Sequence, residues 1–214
     1  MRDSDSENSP PSSPSRARSV IDVITVFVLS ITAVLTAWCG FEASKWGGEM
    51  SIAFSQASSA RVQAEAAAGE ARDARLYDLT IYTQWVLAER GGDQELTAFI
   101  EERFTPEFRI AFDAWTADGR SDRGPFVRDE YVPPGTEEAA ELSEVADERF
   151  AAALENNQRG DNYSLLTVLF ALVLFLTAMS QRNLQSWIGR VLLGMAIAIG
   201  ILGLIFLATF PIKI

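Results

Sequence analysis

The side chains in this chain that could do chemistry are mainly carboxylates, because histidine is absent and cysteine occurs once. The missing histidine removes the commonest proton shuttle and metal ligand. The acid pairs Glu101-Glu102 and Glu137-Glu138 lack the spacing of a calcium loop and a paired catalytic group. We therefore interpret them as solvated helix faces, and the sequence predicts a protein that is not an enzyme, with no catalytic residue, metal site or cofactor.

Cys39 is the single cysteine, so an intrachain disulfide is excluded. It lies near the end of a long apolar run. One interpretation is a site of acylation or of a redox contact, and the other is a small apolar residue packed in a membrane helix. We favour the second, because a free cysteine commonly behaves as a small buried hydrophobe.

A group of polar and aromatic residues is predicted to gather where two helices leave the membrane on its outer side. The group could form a polar pocket that binds an ion, a lipid headgroup or a partner. Alternatively, its residues could cap the helices and anchor them at the membrane interface. We favour the structural role, because Asp161 or Asn162 can cap a helix and tryptophan and tyrosine suit the interface. The group consists of Trp46, Glu49, Asn157, Asp161, Asn162 and Tyr163.

Asp22 and Arg190 are charges placed at the inner edge of predicted membrane spans. A charge below the lipid headgroups is costly and is normally paired or extended to the interface. The two residues are therefore candidates for a structural ion pair. The alternative is that each side chain reaches the interface separately.

Three apolar runs position these groups: Val23 to Phe41, Ser164 to Met179 and Val191 to Phe210. Each is near the roughly 20 residues that a helix needs to cross a bilayer. The first run is longer than the apolar region of a signal peptide and has no clear cleavage site after it, so we interpret it as an uncleaved membrane helix.

The basic residues around the spans predict the orientation of the chain. Arg16 and Arg18 precede the first span, and Arg182 and Arg190 lie around the short link between the second and third. Because positive residues in short flanks stay cytoplasmic, we expect the N-terminus and the link inside, and the insert and the C-terminus outside. The expected location is the bacterial inner membrane, with the lipid bilayer as a partner.

The predicted fold class is an all-α membrane protein with three transmembrane helices and an antiparallel helical insert between the first and second. The predicted segments are a disordered cytoplasmic tail (1–19), the first span (20–41), the acidic extracytoplasmic insert (42–161), the second span (162–180), a cytoplasmic link (181–187), the third span (188–210) and the C-terminal end (211–214).

The insert is strongly acidic. It holds 25 of the 29 acidic residues but 12 of the 18 basic ones, a net charge of −13. A nucleic-acid surface would be basic, whereas this surface repels phosphate. The sequence therefore excludes nucleic acid as a partner.

The first insert helix is predicted from Gly48 to Arg90, because this stretch contains no proline and much alanine. Small and apolar residues follow steps of three and four, which gives one narrow packing face of the coiled-coil type. Alanine on this face lets another helix approach closely. The predicted seam consists of Ala60, Ala64, Ala67, Ala71, Ala74, Ile81 and Trp85.

Local signals divide the rest of the insert. Gly91-Gly92 ends the first helix, and Asp93 is a predicted N-cap for a helix from Asp93 to Phe104. Thr105-Pro106-Glu107 starts the next helix, with threonine as N-cap and proline at the first helical position. The stretch from Asp118 to Gly135 is rich in glycine and proline and is predicted to be an irregular loop.

Two further helix faces are predicted to carry apolar or small residues. Phe108, Ala111, Phe112 and Trp115 form one face of the third insert helix and are expected in the core. A last helix starts near Thr136 and leads into the second span. The residues on one of its sides are Leu142, Ala146, Arg149 and Ala153, with Val145 and Phe150 adjoining them.

Several short stretches resemble an uncharacterised family of bacterial three-span integral membrane proteins with a helical extracytoplasmic insert. The resemblance extends over roughly residues 20–212 and implies the architecture and a bacterial membrane location; it carries no activity or catalytic residue. The stretches are Thr36-Ala37-Trp38-Cys39, Trp46-Gly47-Gly48-Glu49, Arg103 to Phe108, Asp113-Ala114-Trp115, and Asn157 to Tyr163.

The third span carries small residues four apart: Gly194 with Ala198, and Ala196 with Gly200. This spacing allows close helix contact, either within the chain or between copies.

The leading hypothesis is a non-enzymatic assembly or accessory subunit that acts through its insert, with a homo-oligomer or another membrane protein as partner. The alternatives are a sensory module that signals through a partner, and a channel or transporter made of several copies.

Overall fold

The computed structural model describes residues 16–182 and 185–212, and in these residues it is all helical. This confirms the predicted all-α fold class. The five helices are α1 (Arg16–Gly91), α2 (Gln94–Glu101), α3 (Pro106–Ala117), α4 (Thr136–Ser180) and α5 (Ser186–Thr209), with a short 3-10 turn at Pro125–Val127.

Helix α1 is one uninterrupted helix of 76 residues. The sequence predicted a membrane span ending at Phe41 and a separate insert helix starting at Gly48. The structure joins them because no proline occurs in the helix, and a glycine within a helix costs only about 1 kcal/mol relative to alanine. Similarly, α4 includes both the last insert helix and the second span in 45 residues. The helix α1 begins at Arg16, inside the predicted tail, most of which lies outside the described residues.

Three helices are long and apolar enough to cross a membrane, by length and composition. They are α1, α4 and α5. The chain is therefore a multi-pass membrane protein, as the three apolar runs predicted.

The chain separates into two compact units. The first, here called the membrane unit, contains residues up to Met50 and from Glu155 onwards; the second, the insert unit, is Ser51–Leu154. The insert was predicted from residue 42 to residue 161. That range contains the whole insert unit, and its two ends, residues 42–50 and 155–161, fall in the membrane unit.

An aromatic cluster forms the core of the insert unit, with members from the end of α1, from α2 and α3, and from the loop after α3. Its rings meet mostly edge to face, such as Trp85 with Phe112 at 4.9 Å and Phe104 with Phe108 at 4.8 Å between ring centroids. Such pairs add about 0.5–1.5 kcal/mol each beyond their burial. The predicted apolar face of α3 is buried here, which confirms its assignment to the core. The buried members of the cluster are Trp85, Ala88, Ile100, Phe104, Phe108, Ala111, Phe112, Trp115 and Tyr131.

The N-caps of the short helices follow the local sequence signals. Asp93 accepts a hydrogen bond from the Leu96 amide at 3.0 Å, and Thr105 accepts one from the Phe108 amide at 3.3 Å. Both predicted caps are confirmed. Helix α2 ends at Glu101, earlier than predicted, because Thr105 must be extended before Pro106 and the chain unwinds ahead of it.

The alanine seam of α1 is largely buried within the insert unit. Ala60, Ala64 and Ala67 are buried and Trp85 is only 2% exposed, whereas Ala71, Ala74 and Ile81 are half-buried. The seam also extends towards the membrane span through Ala53 and Ala57, both buried. On α4, Ala146 and Ala153 are fully buried and Leu142 is half-buried, but Arg149 is exposed.

Contacts between α1 and the α4 region follow a regular order in the insert unit. Phe54 packs edge to face on Phe150 at 5.4 Å between centroids. Arg61 donates to Asp147 at 2.7 Å and to Ser143 at 3.3 Å. Gly135, just before α4, lies so close to α1 that a Cβ on it would stand 2.4 Å from the carbonyl oxygen of Ala67.

Candidate functional site

The most unusual polar group in the membrane unit is Glu42, a carboxylate with 0% exposure. It lies one residue beyond the first apolar run. Cys39, three residues before it, and Trp46, four residues after it, lie on the same face of α1. Both of these neighbours are buried as well, with exposures of 0% and 4%. Helical spacing thus directs a charge-bearing side chain into the packed interior of the bundle.

Tyr163 supplies the opposite side of this site from α4. Its side chain is fully buried, and its hydroxyl donates to the Pro211 carbonyl oxygen at 2.9 Å. Its ring also meets that of Phe210 edge to face at 5.5 Å. Cys39, Trp46 and Tyr163 belong to one buried cluster, and Glu42 is buried on the face of α1 that carries Cys39 and Trp46. These four residues, Cys39, Glu42, Trp46 and Tyr163, are called the Glu42 site below.

Close helix packing builds the site. Gly160 on α4 faces α1, where a Cβ on it would lie 3.5 Å from the Ala43 carbonyl oxygen and 3.6 Å from the Trp46 Cβ. Apolar side chains from α4 and α5 complete the cluster, among them Leu166, Phe170 and Leu207. The site is therefore enclosed by all three membrane helices.

The structure divides the predicted outer-interface group into two sets. Trp46 and Tyr163 are brought together in the buried cluster. Asn157 and Asp161 are exposed and hydrogen-bond each other along one turn of α4 at 3.2 Å. Asn162 is half-buried and accepts from Gln158 at 3.1 Å, and Glu49 is half-buried. Since α4 is continuous here, neither Asp161 nor Asn162 stands at a helix start, and their predicted capping role is wrong.

Arg159 lies over the ring of Trp46. Its guanidinium lies 4.7 Å from the centroid of the Trp46 ring and donates to Glu155 one turn earlier on α4. This stacked arginine shields the indole from water. In the sequence, the only signal for this contact is the presence of a cation near the membrane surface.

Cys39 is buried in the structure. This location agrees with the favoured interpretation of a small packed residue. Cys39 is one of the four residues of the Glu42 site. The sequence alone did not indicate this grouping.

Asp22 and Arg190 are both exposed in the structure. Their pairing stays a prediction. The two small-residue pairs of α5 differ in environment: Ala196 is fully buried and a Cβ on Gly200 would contact Val173 at 3.8 Å, whereas Gly194 and Ala198 are less enclosed. The pair of Ala196 and Gly200 therefore packs within the chain.

A second buried carboxylate, Asp78, connects three segments of the insert unit. It is 1% exposed and accepts hydrogen bonds from the Thr105 hydroxyl at 2.7 Å and the Tyr131 hydroxyl at 2.8 Å. Burial, followed by the bond to Asp78, raises the pKa of Tyr131 well above its usual value of 10. Since both carboxylate oxygens hold structural donors, Asp78 links α1 to the start of α3 and to the loop before α4.

Other polar residues of the insert unit also serve its packing. The Trp85 indole donates to Glu101 at 2.7 Å, so one member of the predicted acid pair is a partner for a core ring. Arg128 pairs with Asp118, Asp122 and Glu130 at 2.9–3.2 Å. Hydrogen bonds from Ser121 and Arg128 lower the pKa of Asp118, and those from Arg128 lower the pKa of Glu130. This network fastens the irregular loop between α3 and α4.

Comparison of the chain with protein-family models, with curated proteins and with solved structures gave no match. The assignment of function therefore depends on the geometry of the chain itself.

Proposed function

We propose that this protein is a non-enzymatic assembly or accessory subunit of the bacterial inner membrane that binds a membrane partner or a second copy through its helical insert. The observation that carries the proposal is a set of large apolar side chains on the exposed face of α1 in the insert unit. Val62, Leu76 and Leu87 are 67%, 61% and 62% exposed.

These three residues lie on one face of the helix. They are 14 and 11 residues apart, which at 3.6 residues per turn returns each to nearly the same side. That side is opposite to Ala64 and Ala67, whose own face is already buried in the unit. Single exposed apolar side chains are common on protein surfaces; we propose that these three, which recur on one side of an otherwise acidic insert, contact the partner.

The insert offers a rigid support for such a surface. We propose that α1 and α4 run antiparallel in it as a short coiled coil. The supporting observation is the order of their contacts, in which Phe54, Arg61 and Ala67 meet partners progressively earlier in the chain: Phe150, Asp147 and Gly135. Small residues in the seam permit the close spacing.

We further propose that the insert is extracytoplasmic and that the N-terminus and the link between α4 and α5 are cytoplasmic. The arginines flanking the spans support this orientation. Labelling of single cysteines tests it, with Ser121→Cys in the insert and Gln185→Cys before α5; native Cys39 is buried. A membrane-impermeant maleimide should reach Ser121→Cys in intact cells and Gln185→Cys only after the membrane is opened, and the reverse pattern would contradict the orientation.

Cross-linking in native membranes tests the contact surface. Leu76→Cys, on the exposed face of α1, should form cross-links of defined mass with a bismaleimide reagent. Glu144→Cys, at an exposed position on α4, is the matched control and should form few. The product's mass distinguishes a second copy from another membrane protein. Equal yields at the two positions, or none at either, would contradict the proposal.

A further inference from the structure

The membrane unit contains an apolar groove that is lined by α1, α4 and α5 and is independent of the assembly surface. The cavity in it measures about 160 Å³, and the described residues that line it carry no charge. Its floor includes Phe170 and Val173 of α4, each only 1% exposed. Its rim consists of large apolar side chains that remain exposed, such as Phe27 on α1 and Leu204 on α5.

A glycine on α5 keeps this groove open. A Cβ on Gly203 would lie 2.9 Å from a ring carbon of Phe170, so α5 packs tightly against α4 at that position. A Cβ on Gly200 would meet only Val173, at an ordinary contact distance of 3.8 Å. Because Gly200 also lines the groove, a larger side chain at this position would enter it.

The groove lies near the middle of the apolar runs of α1 and α5. Its lining comes from residues 27–35 of α1 and 196–204 of α5. The nearest preceding charges, Asp22 and Arg190, are five and six residues earlier, which is about 7–9 Å along a helix axis. Lipid headgroups lie at the ends of membrane spans, so acyl chains are the part of the lipid present at the depth of the groove.

The lining favours an apolar ligand over water. A buried water molecule needs two to four polar partners, and Thr32 is the one polar side chain among the described residues of the lining. An apolar cavity of about 150 Å³ stays dry and binds a molecule of the size of benzene. A helix from a second copy, about 10–12 Å wide, is too large for this cavity, whereas an alkyl chain fits it.

We propose that this groove binds one acyl chain of a membrane phospholipid, with the distal part of the chain between α1 and α5. The exposed rim is continuous with the lipid-facing surface of the spans, so the chain enters sideways from the bilayer. On the floor it contacts Phe170 and Val173, which lipids on the outer surface do not reach. The bound chain fills a space that the three helices leave open and thereby stabilises their packing.

Photolabelling in vesicles tests the proposal. The full chain is placed in vesicles of phosphatidylethanolamine and phosphatidylglycerol that contain a small fraction of phospholipid with a diazirine near the end of one acyl chain. On illumination the diazirine loses dinitrogen, and the carbene that remains inserts into a neighbouring C–H bond. Peptide mapping by mass spectrometry should find adducts on Phe170 or Val173 as well as on Val168, which is 68% exposed on α4. A probe with its diazirine next to the glycerol should label neither floor residue.

Two substitutions on α5 provide the comparison. Gly200→Leu fills the groove and should abolish the adducts on Phe170 and Val173 while keeping those on Val168. Gly194→Leu, at a position where a Cβ would meet no atom within 4 Å, is the matched control and should keep all of them. If Gly200→Leu fails to fold, the adducts of the wild-type chain still decide the question. Floor residues that stay unlabelled while Val168 is labelled would overturn the proposal and indicate a protein segment, or no occupant, in the groove. Floor adducts that Gly200→Leu leaves unchanged would also overturn it.

Discussion

Gly135→Ala is the substitution that tests the packing of the insert unit most sharply. Gly135 precedes α4 with a φ of +82°, and a Cβ at this position would lie 2.4 Å from the Ala67 carbonyl oxygen and 3.2 Å from its carbon. Those atoms belong to the backbone of α1 and cannot rotate away. The alanine would therefore meet both an unfavourable backbone conformation and a steric clash.

The expected magnitude follows from these two terms. The left-handed conformation costs an alanine roughly 1–2 kcal/mol. Overpacking against a rigid neighbour typically adds about 1–3 kcal/mol. We expect Gly135→Ala to lower the free energy of unfolding by about 2–5 kcal/mol in total.

Gly119→Ala is the matched control. Gly119 has a φ of +68°, but a Cβ added to it would meet no other atom within 4 Å. It should therefore lose only the conformational term, roughly 1–2 kcal/mol. Thermal and denaturant unfolding of the full chain in detergent, followed by circular dichroism, would measure both variants. Equal destabilisation by the two substitutions would refute the close approach of Gly135 to α1.

Three further predictions concern the seam, the Asp78 network and the inner charges. Ala64→Leu should overpack the buried seam and cost roughly 1–3 kcal/mol, whereas Ala66→Leu, at an exposed position, should be nearly neutral; equal melting temperatures for these two would place the seam in solvent. The pKa of Tyr131 is raised in the folded state above its unfolded value of 10. The contribution of Tyr131 to the free energy of unfolding is therefore fully present below pH 10 and should be lost as the pH rises above 10. Tyr131→Phe should remove that alkaline loss and cost about 1–3 kcal/mol at neutral pH, and an unchanged alkaline profile in its melts would exclude Tyr131 as the source. If Asp22 and Arg190 pair, a double-mutant cycle of alanine variants should show a coupling of about 0.5–3 kcal/mol; additive effects would exclude the pair.

Much of the insert could be predicted because its signals are local. Gly91-Gly92, Asp93 and Thr105-Pro106 act within one turn of the helix ends that they specify. The apolar face of α3 follows from its spacing alone. These features depend on neighbouring residues in sequence, and the structure confirms them.

The buried carboxylates could not be predicted in the same way. Asp78 falls in the seam, four residues after Ala74 and three before Ile81, but a charge at such a position is tolerated only with partners. Its partners, Thr105 and Tyr131, are 27 and 53 residues away. Spacing indicates the position, whereas the compensating contacts depend on the tertiary fold.

The sequence placed Glu42 at the start of the insert, directly after the first apolar run. Its spacing from Cys39 and Trp46 was the available signal that it shares their face of α1. Whether that face is buried depends on Tyr163 and on the end of α5 near Phe210, which are more than a hundred residues away in the sequence.

We propose that this protein works as part of a membrane assembly formed through the exposed face of α1. Native mass spectrometry of the protein, released from its own membranes in lipid nanodiscs, tests it most directly. We expect a complex of fixed stoichiometry, either with a second copy or with one other membrane protein, that dissociates when Leu76 and Leu87 are replaced by glutamate. A protein that is monomeric in its native membrane, or a complex unchanged by these substitutions, would contradict the account.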